Sequence, residues 1–450
     1  MSQTEVTLAE PDRFQVSLDP WIVVALLWPL GRIVELQIVG TVYLQDAMSV
    51  GILLLLVMRP GSVARLQQIR WVFFLGLLWL LGQIFTDIWR GSAFEDFGRG
   101  WAKIVFFIAT LAAMWLFLPI RRSYLAAYAA GMALAAYAAV PAADTAFGAE
   151  GVRWRFGLGE AMIVASAVLV SGAIPGTRRL TRFAPIVLAA VAAFQLAVQA
   201  RSNFGNVIAA AALCQLYVIL ARNPALRRTI RPSTFVVGFM AALVATQGPI
   251  WVYSELADNG TLGAEAQTKY RLQEVSGNGN IILGGRTELY VSLIAIKDSP
   301  FLGHGSWAQD NYYNQLLRHR LIEAGVKSQE VRFNRGNYIP SHSYLFGSWV
   351  DGGALGGLFW IYMLLMAIVS IYYSLLVPGS LRPIYAYMVL SFAWSVLFSP
   401  FGSPVRFTVS FQIVMIYYVI TEAKAYLAQQ RAARLSAAAS VQHRLAGAHG

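Results

Sequence analysis

The chain has 450 residues, 57% of them hydrophobic and only 13% charged, with a mean hydropathy of +0.55. Soluble domains hold about half apolar and about a quarter charged residues, so a soluble fold is excluded. The formal charge of +12 does not indicate nucleic acid as a partner, because most basic residues are arginines at the ends of apolar runs, where they set membrane orientation.

Residues 1–19 carry Glu5, Glu10, Asp12 and Asp19 against Arg13, which lacks the basic start of a secretory signal. A cytoplasmic N-terminus without a cleaved leader is expected. Apolar runs long enough to cross a hydrocarbon core of about 30 Å then follow one another. They predict membrane helices near 20–38, 42–58, 71–89, 101–119, 124–141, 158–174, 184–200, 204–221, 234–253, 345–376, 383–399 and 404–422. The predicted fold class is therefore an all-α polytopic membrane protein of about twelve transmembrane helices.

Charge alternates between the short loops. Arg59, Arg65 and Arg70, then Arg121 and Arg122, then Arg178, Arg179 and Arg182, then Arg222, Arg227, Arg228 and Arg231 mark one side, which the positive-inside rule assigns to the cytoplasm. The organisation that follows is nine spans over 20–253, a large periplasmic loop over 254–343, three spans over 344–422 and an Ala-rich cytoplasmic tail over 423–450. Connections longer than about fifteen residues are usually functional or disordered, and this loop has helical pattern. Thr287 and Pro300 bracket one helix with Leu289, Leu293 and Ile296 on a shared face, and a second stretch runs near Trp307 to Ala324. Two short helices on the outer surface of the bundle are expected.

His342 stands where the loop returns to the membrane, a place suited to a general base, since imidazole titrates near working pH. The plainer reading is an interfacial histidine bonded to a helix end. Arg201 sits in a short outer connection and offers a planar fork that matches phosphate oxygens, or else contacts lipid headgroups. Arg286 precedes the helix predicted from Thr287, where its charge adds to the positive helix end. A solvated surface arginine is the alternative.

Within the apolar runs, Arg32 with Glu35, Asp46, Asp87 and Glu160 are buried ionisable candidates, with Arg32 and Glu35 expected to pair as helix neighbours. Asp351 either orients a ligand or caps the helix it begins. The lone cysteine, Cys214, allows no internal disulfide and no thiolate metal cage. No Asp-x-Asp pair occurs and the five histidines are scattered, so no metal and no cofactor are expected. There is also no P-loop and no GxSxG elbow to suggest nucleotide or triad hydrolysis.

Four motifs occur in order: Gly285-Arg286-Thr287-Glu288, Pro300-Phe301-Leu302-Gly303-His304-Gly305, Ser341-His342-Ser343-Tyr344-Leu345 and Gly352-Gly353-Ala354-Leu355-Gly356-Gly357. With Arg201-Ser202 after an apolar run, the chain resembles the O-antigen ligase and O-antigen (exopolysaccharide) polymerase superfamily, most sharply over residues 280–365. The resemblance implies a bundle similar to lipid-dependent (GT-C type) glycosyltransferases in the bacterial inner membrane. It implies inverting, metal-independent transfer of a glycan from undecaprenyl diphosphate to an acceptor hydroxyl, on lipid A-core or a growing surface polysaccharide, at the periplasmic face. It makes His342 the base and Arg201 and Arg286 the diphosphate ligands, with His304, Arg332, Arg335 and Tyr344 as candidate substrate contacts. His304 also reads as a turn residue, and Arg332 and Arg335 as a solvated loop face. Ser343 departs from the pattern, which often has Asn after its histidine. The reading from another class is a lipid-linked oligosaccharide flippase, which spans and buried charges also suit. Carriers tend to show internal repeats and midplane sites, whereas the site-like residues here gather at the outer rim.

Overall fold

A computed structural model describes residues 19–38, 40–140, 154–198, 200–245, 247–276, 287–323, 337–379 and 381–447. The first helix, α1 (Pro20–Leu27), is followed by a 3-10 turn over Trp28–Ile33 and a two-stranded antiparallel hairpin, β1 (Glu35–Gln37) and β2 (Thr41–Tyr43). The helix predicted over 20–38 thus stops early. Pro29 supplies no amide hydrogen and its ring crowds the carbonyl four residues back, which ends an α-helix. Arg32 and Glu35 are consequently not helix neighbours, and none of the ion pairs among the described residues joins them.

The helices α2 (Leu44–Val57), α3 (Ser62–Gln67), α4 (Arg70–Arg90), α5 (Phe94–Phe117), α6 (Arg122–Ala138), α7 (Gly159–Leu169), α8 (Ala184–Ala197), α9 (Arg201–Arg222) and α10 (Pro224–Arg228) follow. In place of one span over 234–253 there are two helices, α11 (Pro232–Ala245) and α12 (Gln247–Asp258). Pro249 lies in the first turn of α12, where a missing amide hydrogen is tolerated. The long loop contributes α13 (Ala264–Ser276), α14 (Thr287–Asp298) and α15 (Asn311–Glu323). The chain ends with α16 (Tyr344–Leu376), α17 (Arg382–Phe398) and α18 (Val405–Gly447).

Five segments are long and apolar enough to cross a membrane: Arg70–Arg90, Phe94–Ile120, Thr177–Ala197, Arg201–Arg222 and Tyr344–Leu376. Large apolar side chains cover their outer surfaces, among them Leu81, Ile88, Trp89, Val105 and Leu358, a pattern that water would penalise and lipid favours. This is an all-α chain built for repeated membrane crossing.

Inside, Trp79, Phe107, Phe359, Trp360 and Phe401 form one aromatic cluster, with centroids from 5.0 to 6.3 Å apart. Such edge-to-face and offset contacts add to the area they bury. Helices α4 and α16 approach closely because small residues face the seam. A methyl group on Gly82 would lie 3.2 Å from the Gly352 carbonyl oxygen, and one on Gly76 would meet Ile108 and Phe359. Across the bundle, Arg406 of α18 and Asp46 of α2 form an ion pair that is 1% and 0% exposed, with Nε donating to Oδ1 at 2.9 Å and Nη2 donating to Oδ2.

Candidate functional site

The long helix α16 is broken. Gly353 has φ 67° and ψ −158°, a conformation open essentially to glycine alone. The break leaves backbone groups of α16 without helical partners, and the loop turn at residues 301–305 supplies them. His304 N donates to the Val350 carbonyl at 2.7 Å and Gly305 N to that of Asp351 at 3.0 Å, while Ala354 N donates to the Phe301 carbonyl at 3.2 Å. A Cβ at Gly303 would sit 2.6 Å from Gly353 N, and one at Gly353 would collide with the Phe301 oxygen. Two of the glycine motifs read from the sequence therefore meet each other in space.

Three side chains of α4 clamp this turn. Asp87, 2% exposed, accepts from Ser306 N at 2.6 Å, Ser306 Oγ at 2.7 Å, Ser92 Oγ at 2.8 Å and Trp101 Nε1 at 2.8 Å. Arg90 donates from Nη2 to the Gly303 carbonyl and to Ser299 Oγ, both at 2.8 Å, and the Thr86 hydroxyl donates to the Leu302 carbonyl. Asp87 is thus an anchor for the turn. The buried-charge reading of the sequence located it; nothing in the sequence named its partners.

His304 belongs to the same turn. Its Nε2 lies 2.8 Å from the Ala295 carbonyl, and its ring meets Tyr313 edge-on at 5.4 Å. Burial, together with the hydrogen bond donated to Asp298 at 2.8 Å, raises the Tyr313 phenol above its usual range, so that ring stays neutral. These contacts fasten α14, α15 and the turn into one cap.

His342 is half-buried immediately before α16. The strand-like segment leading to it is tied to the cap: Ile339 N donates to the Ala308 carbonyl at 3.0 Å, and Ser292 Oγ to that of Pro340 at 3.0 Å. On its other side Ser343 caps α16, accepting from Phe346 N at 3.1 Å and donating to the Val396 carbonyl at 2.7 Å. The capping role offered for Asp351 falls to Ser343. Asp351, a full two turns into the helix, pairs instead with Lys103 of α5 at 3.6 Å. Lys103 is 11% exposed and stands over the rings of Trp307 and Phe401 at 5.9 and 5.7 Å. The only trace of this pair in the sequence is a lysine inside an apolar run.

Tyr344 is buried, its ring 5.0 Å from Trp360 and 5.4 Å from Phe401. Glu160 lies in the first turn of α7. The neighbouring Gly159 is close to the Gln195 and Asn203 amides, since a Cβ there would lie 2.8 and 3.1 Å from Gln195 Oε1 and Asn203 Nδ2. Both amide atoms are buried without a hydrogen-bond partner among the described residues. Arg201, two residues from Asn203 at the start of α9, is half-buried over the Tyr253 ring at 5.0 Å, and its Nη2 is likewise buried and unpartnered among the described residues. One polar neighbourhood thus joins the start of α7 to Gln195 of α8 and to Asn203 and Arg201 of α9. Arg286, Arg332 and Arg335 lie outside the described residues.

Beside this neighbourhood an open apolar groove of about 360 Å³ runs between α6 and α7, lined by Ala133, Tyr137, Trp154, Leu158, Ala161 and Met162 among others. Among the described residues, no three His, Cys, Asp or Glu side chains gather where they could hold a metal ion. No family profile matches the chain. It is similar to an uncharacterized protein of Haemophilus influenzae, 33% identical over 97 residues that make up 21% of each chain. The match thus spans about a fifth of that relative's length.

Proposed function

We propose that the chain is an inverting, metal-independent glycosyltransferase of the O-antigen ligase or polymerase type, with about twelve spans in the bacterial inner membrane and the 254–343 loop in the periplasm. The observation that carries this reading is the buried Nη2 of Arg201, which has no hydrogen-bond partner among the described residues. A buried donor without a partner is costly and invites an anion.

In the proposed reaction, an acceptor hydroxyl oxygen attacks the anomeric carbon of an undecaprenyl-diphosphate-linked glycan. The bond from that carbon to the diphosphate oxygen breaks on the opposite face, so configuration inverts. His342 takes the hydroxyl proton, and Arg201 with Arg286 balances the charge gathering on the departing diphosphate. Positioning and electrostatic stabilisation of this kind are large contributors to enzymatic rates. His304, Tyr344, Arg332 and Arg335 are assigned to substrate contact. The groove between α6 and α7 suits the polyprenyl end nearest the diphosphate, and the rest of that chain stays in lipid.

The test is the glycan product of the reconstituted protein, given an undecaprenyl-diphosphate oligosaccharide in EDTA, with and without lipid A-core. Lengthening lipid-linked chains identify a polymerase, and transfer only to lipid A-core identifies a ligase. His342→Ala is expected to lower either activity by roughly 10²- to 10⁴-fold. Movement of intact donor between leaflets with no glycan transfer in any condition overturns the enzyme reading in favour of a flippase.

A further inference from the structure

A second set of unsatisfied cations lies at the opposite end of the bundle, where α9 runs into α10 and α16 turns into α17. Arg382, the first residue of α17, is 9% exposed. Its side chain folds back on the end of α16, where Nη2 donates to the Val377 carbonyl and the guanidinium stands 5.0 Å over the Tyr217 ring. Those carbonyls carry the partial negative charge of a helix C-terminus, which is a favourable seat for one edge of the guanidinium. One donor is left over: Nη1 is buried and has no hydrogen-bond partner among the described residues.

Arg227, half-buried on α10, repeats the condition at its Nε. Burial pulls its guanidinium below the ordinary range, and Arg382 pushes in the same direction against an opposing effect of Tyr426. An arginine so placed still keeps its proton. The Tyr217 hydroxyl also interacts with the Arg382 side chain, and the remaining hydroxyls nearby are engaged elsewhere. Ser374 and Ser370 donate to the Ile371 and Ala367 carbonyls of their own helix, which leaves the Tyr217 and Tyr385 hydroxyls to donate to those serines at 2.9 and 2.6 Å. Neither arginine takes part in any ion pair among the described residues.

Arg227 lies on α10, which packs against α16, and Arg382 folds back on the end of α16; two guanidinium groups there, each with a buried donor left over and neither in an ion pair among the described residues, are a poor arrangement unless an anion completes it. We propose that Arg227 and Arg382 together bind one phosphate group, with Arg382 Nη1 and Arg227 Nε as its donors. Phosphate fits because its oxygens match the planar guanidinium fork. The site lies at the end that also carries Arg222, Arg228 and Arg231, so the phosphate comes either from an anionic lipid headgroup or from a soluble phosphate at the membrane surface. The inference does not depend on the glycosyltransferase reading, because the site is at the far end of α9 and α16 from Arg201 and His342.

The experiment compares full-length protein in detergent with its Arg227→Gln and Arg382→Gln variants. Phosphatidylglycerol and phosphatidylethanolamine are titrated by native mass spectrometry, and inorganic phosphate by thermal shift. Retention of phosphatidylglycerol over phosphatidylethanolamine, weakened about tenfold in Arg227→Gln, establishes a lipid-phosphate site. Stabilisation by inorganic phosphate that is lost in Arg227→Gln, without a lipid preference, establishes a soluble-anion site. Equal behaviour of wild type and Arg227→Gln toward all three probes overturns the proposal. Arg227 carries the decision because it lies on a short surface helix, so its loss leaves the bundle folded even where Arg382→Gln does not.

Discussion

Ser343 shows how one side chain serves two elements. Its hydroxyl both caps α16 and donates to the Val396 carbonyl, and Asn is an equally good N-cap with a donor to spare. We expect Ser343→Ala to destabilise the protein by about 1 kcal/mol, and Ser343→Asn by only a few tenths, as read from thermal unfolding in one detergent. Asp87 is a sharper case. Replacing it with Ala strands the Ser306 amide, two serine hydroxyls and an indole N–H, and unsatisfied buried donors cost about 1–3 kcal/mol each at most. A loss of that order, with the outer turn released to protease, is the expected outcome. Asp87 stood out in the sequence because a carboxylate in an apolar run needs a reason. Lys103 was passed over because its partner Asp351 is 248 positions away, and chain distance conceals such pairs.

The helices themselves were legible wherever apolar runs were long and uninterrupted, as over 70–90, 201–222 and 344–376. The misreadings have local causes. Averaged hydropathy is blind to Pro29, so the run over 20–38 hid a short helix, a 3-10 turn and a hairpin. It is equally blind to Gly353, because a glycine that packs against a neighbour and one that breaks a helix look alike in sequence. The break is nevertheless testable. Gly353→Ala puts a Cβ into the Phe301 oxygen at a positive φ, with an expected loss of about 2 kcal/mol or more and faster proteolysis between α14 and α15. The same variant with unchanged stability and an unchanged cleavage pattern would show that the turn is not seated in the break.

Across the whole molecule, the chain's early and late parts are joined by polar contacts where hydrophobic attraction between helices is weak. In lipid, apolar side chains are as well solvated outside a bundle as within it, so packing and hydrogen bonds hold helices together. The Arg406–Asp46 pair links α18 to α2 on these terms. Removing one partner of a buried pair is expected to cost about 3–5 kcal/mol, and replacing both with apolar residues of similar volume to recover most of it. Thermal unfolding of Arg406→Met, Asp46→Leu and the double variant checks this, and a loss in the double variant equal to the sum of the two single losses would mean that the two side chains are not coupled. The polar neighbourhood around Arg201 is only partly visible in the sequence, because its members come from α7, α8 and α9 and share no spacing.

The turn seated in the break of α16 also bears on how the protein is made. A ribosome releases residues 301–305 before it releases the helix they interrupt, so the filler exists before the gap. While α16 is still emerging it has every reason to form a continuous rod, with Val350 and Asp351 bonded to the following turn in the ordinary way. It reaches its final shape only by exchanging those bonds for ones to a segment that is already present. The cap is therefore a template for α16, and a protein assembled from two separately expressed parts, cut between α15 and α16, should still find the broken form only when the first part is present.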